Sequence, residues 1–369
     1  MTDNTLRMFV GTYTEPILFG TGSVLHGKGC GIYAYDIDID SGDAVHAGTI
    51  ESVRNPSYLT LSADSSVLFC VNELKSEDRR TGGAVSSYAL AGGPGEARFI
   101  GSRPSRGADP CHLTLDRSGR FLLTANFMSG SISVHPVSNT GEIGSTSDFR
   151  EHRGSGTDPV RQQGPHAHAV TVSADNRFVF VPDLGLDAIV VYEFDSLRGL
   201  LRDRPDLLVA SRPGAGPRHI VFTPDDRFAY LINELNSTIT AYRYDPPSGR
   251  LNTLQVLSTL PAVFRGHATG AHIDLSPCGR YLYASNRGHD SIVTFRIDQQ
   301  SGELAVSGHV GSGGACPRCF AITPAGDLLA AANQDTDTIV FFSPDRETGL
   351  PTRIGHEVSI PTPVCVVFA

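Results

Sequence analysis

A histidine, a glutamate and two arginines at matching positions of an internal repeat are the residues that could do chemistry. The candidate catalytic residues are His168, Arg218, Glu234 and Arg287. A histidine or a carboxylate can move a proton as a general acid or base. Arginine binds a carboxylate or phosphate through paired hydrogen bonds and can stabilise an oxyanion. This combination favours acid–base chemistry on a small anionic substrate.

The elements that must position these residues are strands. Segments rich in Val, Ile, Phe and Tyr alternate with period two and recur every ~50 residues, which is typical of a propeller repeat. Six repeat units contain a first turn, and five of these turns are Ser118–Arg120, Asp175–Arg177, Asp225–Arg227, Cys278–Arg280 and Ala325–Asp327. A second turn recurs around Gly42, Gly95, Gly141, Gly199, Gly249, Gly302 and Gly349.

Seven second turns but only six first turns indicate that the two chain ends share one unit. We therefore predict an all-β, seven-bladed β-propeller with four antiparallel strands per blade. Both termini should close the last blade, with residues 8–13 paired to residues 363–368. Long helices are not expected, and residues 1–369 should form a single domain.

In a propeller blade the first strand lines the central channel and forms a hairpin with the second strand. Residues nine before and seven after the last residue of the first turn should therefore meet at the channel mouth. The first set is Ser57, Cys111, His168, Arg218, Ala271 and Arg318. The second set is Glu73, Phe127, Leu184, Glu234, Arg287 and Gln334, with Tyr13 as its seventh member.

The repeats agree elsewhere, but the residues of these two sets differ in charge from one repeat to the next. Such a departure indicates a functional site. The alternative is structural, because Arg218 and Glu234 face each other across one hairpin and could form a cross-strand ion pair. We expect substrate contacts from His166, Arg318, Gln334, Arg161, Glu73 and Tyr13. Four connections should converge on the same face, namely Thr14–Gly29, Lys75–Gly83, Arg150–His166 and Pro261–Gly270.

Metal and nucleophile chemistry is disfavoured. His166 and His168 have a spacing that could direct both to one side, but no compact carboxylate cluster accompanies them, so no metal or other cofactor is expected. Cys111 is not expected to act as a nucleophile, since no histidine is placed as its base. His112, His219 and His272 should point away from the channel and hydrogen-bond between blades.

Several segments match the spacing of a known motif but lack the secondary structure that the motif needs. The spacing Gly22–Lys28 matches a phosphate loop, but a strand rather than a helix follows it. Cys316–Cys319 has redox-motif spacing, again followed by a strand. The sequence contains neither a Gly-x-Ser-x-Gly nor a His-Glu-x-x-His motif.

Composition narrows the choice of partners. The net charge of -9 argues against nucleic acid. No apolar run reaches the ~18 residues that a membrane helix needs. The first residues show no signal-peptide pattern, which favours a cytoplasmic location. Seven cysteines with irregular spacing do not predict a disulfide framework, and we expect a monomer.

The motifs together resemble the lactonase family of seven-bladed propellers. The resemblance rests on Gly164–His168, Pro217–His219 with Asn233–Glu234, Ala284–Asp290, Ala332–Asp335 and the opening Phe9–Thr14. It covers essentially the whole chain. The family includes bacterial 6-phosphogluconolactonases of propeller type and fungal carboxy-muconate cyclases. Its catalytic His, Arg, Glu and second Arg fall on His168, Arg218, Glu234 and Arg287. The departure is the segment Thr14–Gly29, which is longer than expected for the family.

The resemblance implies hydrolysis of a sugar-acid lactone, of the 6-phosphogluconolactonase type. Either Glu234 or His168 would activate water, and the arginines would bind the anionic substrate and the oxyanion. One alternative is a carboxy-muconate lactonising cyclase that uses the same pocket. Another is a non-catalytic protein-binding propeller, which would need a broad apolar face.

Overall fold

The predicted sheets are present in the computed structural model, which describes residues 4–19, 21–77, 80–90 and 97–369. Seven antiparallel sheets each contain a path of four consecutively paired strands. They are numbered as blades 1–7 in chain order. By internal contacts the chain divides into two compact units. Unit I contains Met1–Thr12, Tyr33–Gly48 and His219–Ala369, and unit II contains Tyr13–Ile32 and Thr49–Arg218.

Blades 1–3 belong to unit II. Blade 1 contains Leu59–Leu61, Val67–Asn72, Ala84–Ala89 and Arg98–Pro104. Blade 2 contains Pro110–Leu115, Phe121–Asn126, Ser131–Pro136 and Asp148–Glu151. Blade 3 contains Thr171–Val172, Phe178–Asp183, Ala188–Asp195 and Leu200–Asp203, with Val209–Ala210 paired to its third strand. Two short hairpins, Pro16–Leu18 with Val24–His26 and Ser76–Glu77 with Arg80–Thr81, also lie in this unit.

Blades 4–7 belong mainly to unit I. Blade 4 contains Pro217–Phe222, Phe228–Asn233, Thr238–Asp245 and Arg250–Ser258. Blade 5 contains Thr269–Leu275, Tyr281–Arg287, Ser291–Ile297 and Leu304–Gly311. Blade 6 contains Pro317–Ile322, Leu329–Asn333, Thr338–Pro344 and Pro351–Ser359. Blade 7 contains Pro363–Phe368, Thr5–Thr12, Gly31–Asp38 and Ala44–Glu51.

Both chain ends close blade 7, as the unequal number of turns predicted. The N-terminal strand pairs with the C-terminal strand from Met8↔Phe368 to Thr12↔Pro363. Pairing inside a sheet fixes chain ends that would otherwise fray. Of the seven second-turn glycines, Gly95 lies outside the described residues.

The hydrophobic core lies between neighbouring blades within each unit. In unit II one cluster joins the second strands of blades 2 and 3 through residues such as Leu123 and Val179. In unit I the equivalent clusters include Tyr230 with Leu282, and Tyr283 with Phe320. The strands are therefore buried on both faces, which explains their nearly continuous apolar runs.

The arginine that ends the first turn holds adjacent blades together. Arg120 donates to the carbonyl of Ser196 at 2.8 Å, in the second turn of the next blade. Arg227 makes the same contact with Gln299 at 3.0 Å. The recurrence of arginine at this turn is thus a packing feature, separate from the candidate chemistry.

The described residues contain one helical element, the short 3-10 helix Pro205–Leu207. Nothing in the described ranges is a helix long and apolar enough to cross a membrane.

Candidate active site

Cys111 and Arg318, two residues of the first set, lie at irregularities of the first strands of their blades. The pairing register of blade 2 shifts between Pro110 and His112, which places Cys111 in a bulge. Blade 6 shifts in the same way between Pro317 and Cys319, around Arg318. A bulge bends its strand and redirects the side chain that it carries. The sequence alone gave the position of these residues but not the bulge.

Residues of the second set lie where the second strands end. Each of four donates its backbone N–H to the carbonyl found two residues before the first-set residue of its own blade. These bonds are Glu73 to Asn55 (3.0 Å), Phe127 to Asp109 (2.9 Å), Leu184 to His166 (2.9 Å) and Gln334 to Cys316 (3.0 Å). Within these blades, the two sets are neighbours, as the repeat predicted.

In unit I, Glu234 forms a buried ion pair with Arg287. Oε2 of Glu234 lies 3.0 Å from a terminal guanidinium nitrogen of Arg287, and the side chains are 5% and 17% exposed. The same nitrogen donates to the Gly270 carbonyl at 3.0 Å. Nε of Arg287 has no hydrogen-bond partner among the described residues. Arg287 therefore combines a fixed orientation with a buried, unpaired Nε–H donor.

Gln334 and Cys316 extend this part of unit I. Gln334 is buried, donates to Asp335 at 2.8 Å, and keeps its Oε1 without a partner in the described part of the chain. Burial raises the pKa of the Cys316 thiol to about 11, and the charges of Arg287, Asp335 and Arg318 act on it as well. The high value makes Cys316 an unreactive neighbour of these charges.

In unit II, His166 and His168 pack around Phe127. The His166 ring stacks on Phe127 with centroids 4.5 Å apart, and the edge of His168 approaches it at 5.3 Å. Nδ1 of His166 lies 3.0 Å from the Phe127 carbonyl oxygen. Because a carbonyl oxygen can only accept, Nδ1 carries a proton, and in the neutral form of the ring the lone pair is on Nε2. His166 thus has the orientation of a proton acceptor.

The environment of Cys111 corrects one expectation. Its sulfur lies 3.8 Å from Nδ1 of His168 and 3.3 Å from the His168 carbonyl oxygen. The sequence-based view that no histidine stands near Cys111 was wrong, because the spacing of the repeat does not show contacts between adjacent blades. His168 is 5% exposed.

A second group in unit II contains Tyr13 and Glu73, with the tyrosine hydroxyl 3.0 Å from Oε2 of Glu73. Asp109, which sequence reasoning missed, belongs with them. Burial and the charge of Glu73 raise the pKa of Asp109 to about 7, against the opposing charge of Lys75. Nζ of Lys75 lies 3.9 Å from the Asp109 carboxylate. Asp109 has a positive φ of 51°, which nothing in its sequence position revealed.

Loops of unit II surround these groups. The segment Thr14–Gly29 folds back as a hairpin, and its Glu15 pairs with Arg54 at 2.6 Å. Lys75 donates to the Leu18 carbonyl at 3.3 Å. The connection that carries Arg161 is fixed by the buried Gln162, which donates to the Leu184 carbonyl at 2.8 Å.

The remaining predicted residues lie as follows. Arg218, in the first strand of blade 4, is 2% exposed. His219 and His272 contact each other, with Nδ1 atoms 3.3 Å apart, which confirms that they pack between blades. His112 packs on Tyr58 with ring centroids 4.2 Å apart, in the same structural role. Among the described residues, no group of three or more His, Cys, Asp or Glu side chains is arranged to hold a metal ion.

Comparison with known proteins gives a consistent result. The family model for "Lactonase, 7-bladed beta-propeller" matches residues 7–368. A 6-phosphogluconolactonase of Bacillus subtilis is 34% identical over 360 residues, covering 98% of this chain and 97% of the relative. A 6-phosphogluconolactonase of Formosa agariphila is 33% identical over 85% of this chain.

Among solved structures, a periplasmic gluconolactonase of Pseudomonas aeruginosa superposes with a TM-score of 0.89. It is 32% identical, and the match covers 99% of both chains. The fold is therefore the seven-bladed β-propeller predicted from the repeat.

Proposed function

Because the chain belongs to the lactonase family of seven-bladed β-propellers, we propose that it hydrolyses a sugar-acid lactone and that 6-phosphogluconolactone is its substrate. Two curated relatives carry the name 6-phosphogluconolactonase. Water attacks the lactone carbonyl carbon, a tetrahedral oxyanion forms, and the bond to the ring oxygen breaks. The reaction needs a base for the water, a donor for the oxyanion and a proton for the leaving oxygen.

The observation that carries the proposal is the buried pair of Glu234 and Arg287 with an unused Nε–H donor on the arginine. Such a fixed donor can stabilise an oxyanion without reorganising during the reaction. A guanidinium in contact favours the ionised form of a carboxylate, which makes the carboxylate a weaker proton acceptor. Glu234 therefore acts first by orienting Arg287.

The general base is then a histidine. His166 has its proton fixed on Nδ1 by the Phe127 carbonyl, so that Nε2 can accept a proton from water. His168, its buried neighbour on Phe127, is the candidate acid for the leaving ring oxygen. These histidines, Arg218 and the Glu234–Arg287 pair are assigned catalytic roles because they occupy equivalent positions in consecutive repeats.

Binding of the anionic substrate is assigned to the remaining predicted residues. Arg218 and Arg318 supply positive charge suited to a phosphate or carboxylate. Gln334 offers a buried unpaired carbonyl oxygen to a sugar hydroxyl. The further candidates for hydroxyl contacts are Arg161, Glu73 and Tyr13. No metal takes part in the proposed reaction.

Hydrolysis of a panel of lactones tests the proposal. The rate of acid release at constant pH, corrected for spontaneous hydrolysis, is measured with 6-phosphogluconolactone, gluconolactone and a muconolactone. A kcat/KM about 10-fold or more higher for the phosphorylated lactone supports the proposal. A preference for gluconolactone would match the Pseudomonas relative instead.

Matched controls complete the assay. Glu303→Gln removes an exposed carboxylate from blade 5 and should leave turnover unchanged. Inactivation by EDTA would contradict a metal-free mechanism. Conversion of muconate without lactone hydrolysis would favour the cyclase alternative. Inactivity on the whole panel would favour a protein-binding role.

A further inference from the structure

Among the six blades that have a first turn, one position of the repeat changes residue type only in the blade that carries the two histidines. The residue six places after the end of the first turn is Asn72, Asn126, Asn233, Asn286 and Asn333 in five blades, but Asp183 in blade 3. It is the last residue of the second strand in five of these blades and the penultimate one in blade 5. A departure from an otherwise constant repeat position indicates a specific requirement.

The asparagines at this position have a structural task. Asn72 donates from Nδ2 to the Arg54 carbonyl at 2.8 Å, and Asn286 donates to the Thr259 carbonyl at 2.9 Å. Asn333 does the same with Ser312 at 3.1 Å. In each case the amide fixes the connection that arrives from the preceding blade. An asparagine in blade 3 would therefore be the ordinary choice.

Asp183 has a different set of contacts. Its Oδ1 accepts the backbone N–H groups of His166 (2.7 Å), Gly185 (3.0 Å) and Leu186 (3.1 Å). Its Oδ2 lies 2.6 Å from Nδ1 of His152, and both side chains are almost completely buried. Four donors therefore surround one carboxylate. A carboxylate has two accepting oxygens and can engage all four partners, whereas an amide offers only one accepting oxygen.

These contacts fix the segment that contains His166 and His168, here called the histidine segment. It lies just before the short first strand of blade 3. The regular first strand contains only Thr171–Val172. Before it, an isolated bridge pairs Ala167 with Asp183, and His168 donates to the Pro182 carbonyl at 2.9 Å. The bond from the His166 amide to Asp183 thus replaces regular strand pairing at the histidine that presents Nε2.

We propose that Asp183 is a positioning residue that fixes His166, and through the following backbone His168, for the hydrolytic reaction. The inference rests on the proposed function. Asp183 acts through the His166 amide and through His152, without touching the substrate. A buried carboxylate with four fixed donors keeps the segment rigid, and misplacement of a catalytic group by about 1 Å can reduce a rate by about 100-fold.

His152 explains why asparagine is a poor substitute. An amide at position 183 keeps one oxygen for the His166 N–H but presents an NH2 group to Nδ1 of His152. The histidine would then have to accept at Nδ1 and move its proton to Nε2. That atom is buried without a hydrogen-bond partner among the described residues. Asp183→Asn should therefore keep part of the positioning and Asp183→Ala none of it.

The experiment compares Asp183→Ala and Asp183→Asn with a matched control, Asp116→Ala. Asp116 is also a buried carboxylate, and it accepts the backbone N–H groups of Arg120 and Phe121 at 2.8 Å. It lies in the first turn of blade 2, away from the strand ends that carry the two sets. All variants are assayed well below their melting temperatures. Hydrogen exchange of peptides within residues 155–175 is followed by mass spectrometry.

We expect Asp183→Ala to lower kcat by about 100-fold with little change in KM, and Asp183→Asn by about 10-fold. Exchange of the histidine segment should rise by about 10-fold in Asp183→Ala, because its amides lose their acceptor. Asp116→Ala should lose stability but keep its kcat. Unchanged kcat in Asp183→Ala despite faster exchange, or an equal loss in Asp116→Ala, would overturn the proposal. If Asp183→Ala does not fold, the kcat of Asp183→Asn decides.

The two proposals fail in different ways. If the wild-type protein hydrolyses no lactone, the proposed function fails, whereas the exchange data still show whether Asp183 holds the histidine segment. If the wild type is active and the Asp183 variants match it, only the positioning role is overturned.

Discussion

The Glu234–Arg287 pair allows a catalytic role to be separated from a structural one. The two charges lie 3.0 Å apart with 5% and 17% of their side chains exposed, so removing one leaves the other largely desolvated. Such a loss costs about 3–5 kcal/mol. Glutamine keeps a hydrogen-bond acceptor at position 234, which places Glu234→Gln near the lower value. For 369 residues, 3 kcal/mol corresponds to about 4 °C in Tm.

The test is a double-mutant cycle of Glu234→Gln and Arg287→Gln. The double variant should be more stable than the sum of the single changes predicts, by about 1–3 kcal/mol, because it leaves no uncompensated charge. Activity should not recover with it. Each single variant should lose about 100-fold or more in kcat, the effect of removing or misplacing an oxyanion donor.

Melting curves and lactone hydrolysis on the four proteins give both quantities. If the double variant regains turnover in step with its stability, the pair is a structural ion pair and the oxyanion role of Arg287 is refuted. Turnover close to wild type in Glu234→Gln with a lower Tm would have the same meaning.

Three further predictions follow from individual contacts. His166→Gln should lower kcat by about 100-fold in steady-state lactone hydrolysis, whereas turnover close to wild type would assign the base elsewhere. Arg218→Ala should raise KM more than it lowers kcat, as measured by steady-state kinetics, and a pure loss of kcat would contradict a binding role. In the native state the raised pKa keeps Asp109 protonated up to about pH 7, whereas in the unfolded chain this carboxyl is already ionised above about pH 4. The free energy of unfolding therefore falls as the pH rises from about 4 to 7. Asp109→Asn should therefore gain about 2 kcal/mol more at about pH 8 than at about pH 5 in urea titrations, and an equal change at both would refute the raised pKa.

The sequence predicted the sheets well because each blade repeats one pattern of alternation and turns. Counting the two kinds of turn was enough to predict the pairing of Met8–Thr12 with Pro363–Phe368. The same register predicted that the two sets of residues are neighbours within a blade. All of these are local features, repeated often enough to be recognised.

Contacts between adjacent blades could not be predicted in this way. Glu234 and Arg287 belong to different blades, and so do Cys111 and His168. The register fixes a residue's height along its own strand, whereas these contacts depend on the bulges and on side-chain rotamers. The ionisation of Asp109 depends in turn on burial beneath Glu73 and Lys75, which no single repeat encodes.

The same distinction explains where chemistry can reside in a repeated fold. A side chain that recurs in most first turns, such as the arginine found in four of the six, serves packing between blades, as its bond to the next blade shows. A side chain that departs from the repeat has no such role and must be stabilised individually. Asp183 needs four donors, and Glu234 needs an arginine from the next blade. Because a buried charge is costly without these partners, removing one partner of such a contact should be strongly destabilising.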